Sequence, residues 1–237
     1  MGNMEALYNT WKAIGVSGGD LSFFQNFFVK FYQAFIEADR WLQYLNGVKT
    51  TLLVTALALI LGVALGVTVA ILRTAHDQQR PGHRNPVLAV LNLVCKIYVT
   101  VIRGTPMMVQ LLIMGFVIFA SSRNFTMIGT LTLGINSGAY VSEIVRGGLM
   151  SVDKGQMEAG RSLGLGYGTT MRFVIVPQAV KAILPALGNE FIILLKDTSL
   201  ITVIGGKELL HAAQGIMGRT YEAMFPLIGI ACMYLVL

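Results

Sequence analysis

Long uncharged apolar runs, not short alternating ones, set the pattern of this chain. Residues 50–72 contain no charged side chain, and neither do residues 104–120, 124–142 or 224–237. A helix needs about 20 apolar residues to cross the hydrocarbon core of a bilayer. The first run is long enough alone, and the next two come close. Residues 182–195 form a weaker run that carries one charge, Glu190. None of the runs shows the strict alternation of a membrane barrel. The pattern predicts an all-α membrane protein with about five transmembrane helices. These fall near residues 48–72, 104–120, 125–145, 182–196 and from 221 onward. The last run stops after 14 residues, which predicts a chain truncated inside its final helix.

The segments between the runs add detail. Residues 1–20 are polar and read as irregular, with no basic start or cleavage-like site, so no secretory signal peptide is predicted. Residues 21–37 read as an amphipathic helix, with Phe23, Phe24, Phe27, Phe28, Phe31 and Phe35 on one face. Such a helix either lies in the membrane interface or packs as an ordinary first helix. Gly62 and Gly66 form a GxxxG pair, which permits close helix contact; the alternative is two glycines tolerated in a lipid-facing helix. Residues 86–103 are apolar but hold Lys96 and Arg103, and read as a helix lying partly along the cytoplasmic side, broken by Pro106. The organisation is then an N-terminal extracytoplasmic or interfacial segment, 1–44, and a transmembrane domain, 45–237, with a cytoplasmic loop at 148–181.

Composition supports the membrane reading. Apolar residues make up 54% of the chain and charged residues 13%, against about 25% charged in a soluble domain. The net charge of +6 could suggest nucleic acid, but its distribution argues otherwise. With the N-terminus outside, segments 73–103 and 143–181 face the cytoplasm and hold ten Lys/Arg against four Asp/Glu; the rest of the chain holds eight of each. That asymmetry follows the positive-inside rule and predicts a multi-pass protein of the cell (inner) membrane. Cys95 and Cys232 lie in apolar surroundings and suggest neither a disulfide framework nor a metal site.

The specificity of the sequence lies in its loop. Gln156 to Leu163 suits a short helix exposing Glu158 and Arg161, and Gly164, Gly166 and Gly168 then interrupt it. Glycine allows the positive φ of a sharp turn. Thr169 or Thr170 can cap a second short helix, bounded by Pro177. This is the shape either of a docking element or of a solvated loop. The order Glu158-Ala159-Gly160, then Gly164, then Val174-Ile175-Val176-Pro177 resembles the EAA motif of ABC importer permeases in its full spacing. The third position is Gly160 in place of alanine, and two valines replace Ile and Leu. Arg103-Gly-Thr-Pro-Met-Met-Val-Gln110, Ala139-Tyr-Val-Ser-Glu-Ile-Val-Arg-Gly147 and Lys196-Asp-Thr-Ser-Leu200 are similar to segments of the polar amino acid (His/Gln/Arg/opine-type) permeases.

The resemblance implies a type I ABC importer fold and the pore subunit of an ATP-driven amino acid importer. It implies cytoplasmic ATPase subunits, a second permease subunit (a copy or a paralogue) and an extracytoplasmic amino-acid-binding protein as partners. ATP and Mg would be bound by the ATPase, with no cofactor in this chain. No GxxxxGK[ST] phosphate loop is present, since Gly205-Gly206-Lys207 lacks the earlier glycine and the following Ser/Thr. On this reading Glu158, Ala159, Gly160, Arg161, Gly164 and Pro177 form the ATPase-coupling element. Ionisable residues within spans are functional candidates by default. Asn136, Tyr140 and Glu143 share a helix face; with Arg103, Thr105 and Asp197 they are the candidates for the substrate pathway. Arg103 could face a carboxylate and Glu143 an amino group; Lys196 and Asp197 could instead pair with charges on neighbouring spans. The alternative is that all of these charges are structural. A permease for an opine or sulfur compound, a membrane-embedded enzyme and an ion channel are the other function classes. The three histidines, His76, His83 and His211, show no ligand spacing.

Overall fold

The structure, a computed structural model, describes residues 2–79 and 85–237. Arg80, His83 and Arg84, part of the basic segment 73–103, lie outside the described residues. The described helices are α1 (Gly2–Val16), α2 (Phe23–Phe35), α3 (Arg40–Asp77), α4 (Pro86–Gly104), α5 (Met107–Ile113), α6 (Phe125–Met150), α7 (Lys154–Ser162), α8 (Tyr167–Thr170), α9 (Val176–Asp197), α10 (Leu209–Thr220) and α11 (Met224–Val236). The chain forms two compact units, Met1–Leu52 with Lys207–Leu237, and Leu53–Gly206.

In the first unit, residues read as irregular form α1. Its register is set by packing on α2: Tyr8 stacks on Tyr32 at 4.3 Å, and Trp11 meets Phe28 edge-on at 5.3 Å. Ser22 and Gln25 close a reciprocal capping box at the start of α2, which satisfies two otherwise unpaired amides. Phe23 and Phe24 on α2 are exposed, and Phe27 and Phe31 pack their rings on Phe225 of α11. Lys30 pairs with Glu222 at 2.8 Å. Around buried Tyr44 gather Leu209, Ala213, Ile216 and Ile230. The carboxylate of Glu208 accepts from the amides of Leu210 (2.8 Å) and His211 (2.7 Å) and so caps α10. Tyr234 donates to the same carboxylate at 2.9 Å.

In the second unit α6 is the central helix, with Ile128, Leu133, Ala139 and Val141 buried on several sides. The GxxxG pair is a true contact. A Cβ on Gly62 would lie 2.7 Å from Ser137 Oγ, and one on Gly66 would lie 2.6 Å from Val141. Only glycine lets α3 and α6 approach this closely.

Three described stretches are long and apolar enough to cross a membrane: Glu37–Asp77, Pro86–Gly104 and Tyr167–Ile204. Met107–Ile118 and Met224–Val236 are shorter apolar helices. Residues 86–103, expected to lie partly along the cytoplasmic side, thus form a helix with the length and composition to cross. α4 is 19 residues long, about 28 Å at 1.5 Å per residue, and its two cations have stems long enough to reach polar partners. Its chain break falls where proline demands it: Thr105 and Pro106 are both extended, because a residue before proline is driven out of the helical region. Residues 104–120 are therefore the second part of a broken helix.

Pro177 does not bound a short helix, contrary to the expectation from the sequence. Helix continues from Tyr167 to Ile204, and Gly166, not a threonine, precedes its first turn. A wide π turn, Met171–Ile175, ends two residues before Pro177. It gives the proline ring room at the carbonyl with which it would otherwise clash.

Candidate coupling and translocation site

The coupling candidates occupy α7 and the turn after it. Asp153 starts α7 by accepting from the Gly155 amide at 2.6 Å. At the other end, Gly164 has φ +81. The Leu165 amide donates to Gly160 O at 3.1 Å and the Gly164 amide to Arg161 O at 3.0 Å. This pair of bonds is a Schellman closure, which satisfies the last carbonyls of the helix. Gly166 and Gly168 do not adopt positive φ, so only one of the three loop glycines supplies the reversal. Gly160 is buried against Thr170, where an added Cβ would lie 2.4 Å from Thr170 Cγ2. That contact explains glycine where the motif has alanine. Glu158, Ala159 and Arg161 are exposed, as is Leu163 at 82%. Leu163 was missed by sequence reasoning, although an apolar residue just before the turning glycine was a visible signal. Pro177 sits in the first turn of α9, apart from this exposed tip.

The pathway candidates divide between two places. Around the Pro106 break, Gln110 Nε2 donates to Ile102 O (2.7 Å), Thr105 O (3.1 Å) and Thr105 Oγ1 (2.8 Å). Asn136 Nδ2 then donates to Gln110 Oε1 at 3.0 Å. Gln110 is buried and holds carbonyls freed by the break, so it closes a polar clasp between α4, α5 and α6. Its signal in the sequence was a lone amide in an apolar run, four residues after a helix-breaking proline. Arg103 lies over the Tyr140 ring, 5.3 Å from its centroid, a cation–π contact. Glu143 pairs with Arg73 of α3. The shared face of Asn136, Tyr140 and Glu143 therefore meets three different partners. Lys196 and Asp197 form no ion pair among the described residues.

A further polar contact lies deeper. Ser137 Oγ donates at 2.8 Å to Glu190, which is buried. The same serine is the one against which Gly62 packs. The charge that weakened the span at 182–196 is thus inside the bundle at the α6–α9 crossing. The C-terminal end of α3 is also tied: Arg146 to Asp77 at 2.9 Å, Asn92 to His76 at 3.1 Å, and Tyr167 to Gln78. This arrangement holds helices together and offers an exposed knuckle.

Residues 87–237 match the family described as binding-protein-dependent transport system inner membrane component. The glutamine transport system permease protein GlnP of Escherichia coli K12 is 36% identical over 200 residues, covering 81% of this chain and 85% of that protein. A relative in Rickettsia typhi, also named for a glutamine transport system, is 35% identical over 214 residues and covers 89% of this chain and 90% of its own length. Among solved structures, an amino acid ABC transporter with histidines superimposes with a TM-score of 0.73 and 41% identity, covering 82% of this chain and 86% of that one. The methionine ABC transporter MetNI in an inward-facing conformation shares the fold, with a TM-score of 0.66 and 20% identity over 85% of this chain and 94% of that one.

Proposed function

The chain belongs to the inner membrane components of binding-protein-dependent transport systems, and from that membership we infer that it works with a second permease chain and cytoplasmic ATPase subunits. It forms the membrane path of an amino acid importer, and relatives named for glutamine make a polar amino acid the favoured solute. An extracytoplasmic binding protein delivers that solute. ATP and Mg belong to the ATPase, and this chain carries out no catalysis.

The observation that carries the reading is the α7 knuckle. The EAA spacing folds into an exposed helix bearing Glu158 and Arg161, closed by the turn at Gly164, with Leu163 out in solvent. A partner that buries Leu163 and pairs those charges would move the knuckle as a rigid body. Charge placement supports a cytoplasmic position for it. Arg73, Arg146, Lys154, Arg161 and Arg172 cluster on the same side of the spans, as the positive-inside rule requires, leaving the N-terminus outside. The structural alternative gains ground for Glu143 and Arg103, which already have partners. Asn136 and Thr105, at the polar clasp, and Asp197, partly buried at the end of α9, stay on the pathway side.

Co-purification tests this reading. The chain should carry an ATPase through detergent extraction, and binding protein loaded with amino acid should stimulate hydrolysis in proteoliposomes. A chain that purifies without any ATPase, or hydrolysis indifferent to the binding protein, would refute it.

A further inference from the structure

The end of α3 is joined to both flanks of the coupling knuckle. Upstream of α7, Arg146 of α6 pairs with Asp77 at 2.9 Å. Downstream, the Tyr167 hydroxyl donates to Gln78 Oε1. One turn earlier Arg73 holds Glu143, and His76 meets Asn92 of α4 at 3.1 Å. Beside these bonds lies a half-open groove of about 450 Å³, lined by Thr74, Asp77, Gln78, Arg146, Met171 and Ile175 among others. At this groove the polar ties bridge the end of α3 and the segments that flank the knuckle. Tyr167 also lies ahead of the wide turn at Met171–Ile175. A displacement of the knuckle that the wide turn absorbs before α9 would still move Tyr167.

We infer that the Tyr167–Gln78 bond, beside the Arg146–Asp77 pair, passes the displacement of the knuckle into the end of α3, with Tyr167 as a positioning residue. The inference rests on the coupling reading given above. The tie gives the ATPase a second lever on the spans, alongside the covalent one through α6 and α9.

The test uses the whole complex, with ATPase, second permease and binding protein, in proteoliposomes, and reads ATP hydrolysed per amino acid imported. Tyr167→Phe removes only the hydroxyl. It should raise that ratio roughly three- to tenfold, the range that one net hydrogen bond spans, in a complex assembled in normal amount. Gln78→Leu should reproduce the effect, and the double variant should be no worse than either single one, as expected for partners in one bond. Gln78→Glu keeps an acceptor and should stay near the wild-type ratio. A wild-type ratio in Tyr167→Phe, or additive losses in the double variant, overturns the tie while the coupling reading stands. If the wild-type chain recruits no ATPase, the coupling reading fails first, and the tie with it.

Discussion

Gly160 and Thr170 compete for one space. A methyl added at Gly160 would lie 2.4 Å from Thr170 Cγ2, so Gly160→Ala forces α7 off the following helix. Overpacking of this kind costs about 1–3 kcal/mol. The variant should lower the thermal midpoint in detergent, and Thr170→Ser, which removes the obstructing methyl but keeps Oγ1 at 2.9 Å, should restore part of it. Gly164 poses a different constraint, since it has open space around it but φ of +81. A β-branched residue there incurs about 1–2 kcal/mol of backbone strain without any clash. Gly164→Val should therefore change the direction of the knuckle more than its packing, and should raise ATP use per amino acid imported while the spans stay folded. Glu222 is held below the usual carboxylate range by its hydrogen bond to Lys30. Its stabilisation is complete above the ordinary value of 4.5 and is lost as pH falls through the lowered native value. A melting series against pH should show wild type and Glu222→Gln converging below that range and separating above it, by a small margin because the Lys30 side chain is exposed.

The α3–α6 contact depends on glycine at Gly62 and Gly66. Gly66→Leu should prevent that approach and abolish the folded unit, read as loss of a monodisperse peak in size-exclusion chromatography. Gly62→Ala, with Ser137 Oγ only 2.7 Å from the new methyl, should be milder and destabilising. This contact was legible in the sequence because small residues four apart make one stripe whatever the partner. The closure at Gly164 was legible for the same local reason. The course of the chain past Pro177 was not. Local rules treat a proline after a glycine-rich stretch as a boundary, and a wide turn that accommodates it is chosen by packing with α6 further on. The surroundings of α4 were not legible, because charge can be counted in a sequence but what a cation touches cannot: Arg103 rests on Tyr140, a residue far along the chain on α6. The partners of Glu143 and Asn136 were invisible for that reason too, since they lie on other helices.

On the scale of the molecule, orientation is the property most open to test. A cysteine placed by Ser17→Cys, in a background without Cys95 and Cys232, should react with a membrane-impermeant maleimide from outside intact cells. One placed by Ser162→Cys should react only after permeabilisation. The reverse pattern would move the knuckle to the wrong side for an ATPase. The wide turn at Met171–Ile175 also bears on the whole chain. A regular helix advances by about 100° per residue, so its faces are locked in phase from end to end. One surplus residue resets that phase. Ahead of the turn, the angular setting suits Thr170 against Gly160; beyond it, another setting suits Glu190 against Ser137. Deleting a single residue there would leave the composition almost untouched and put the two ends about 100° out of step. The protein would then satisfy the Gly160–Thr170 contact or the Ser137–Glu190 contact, but not both.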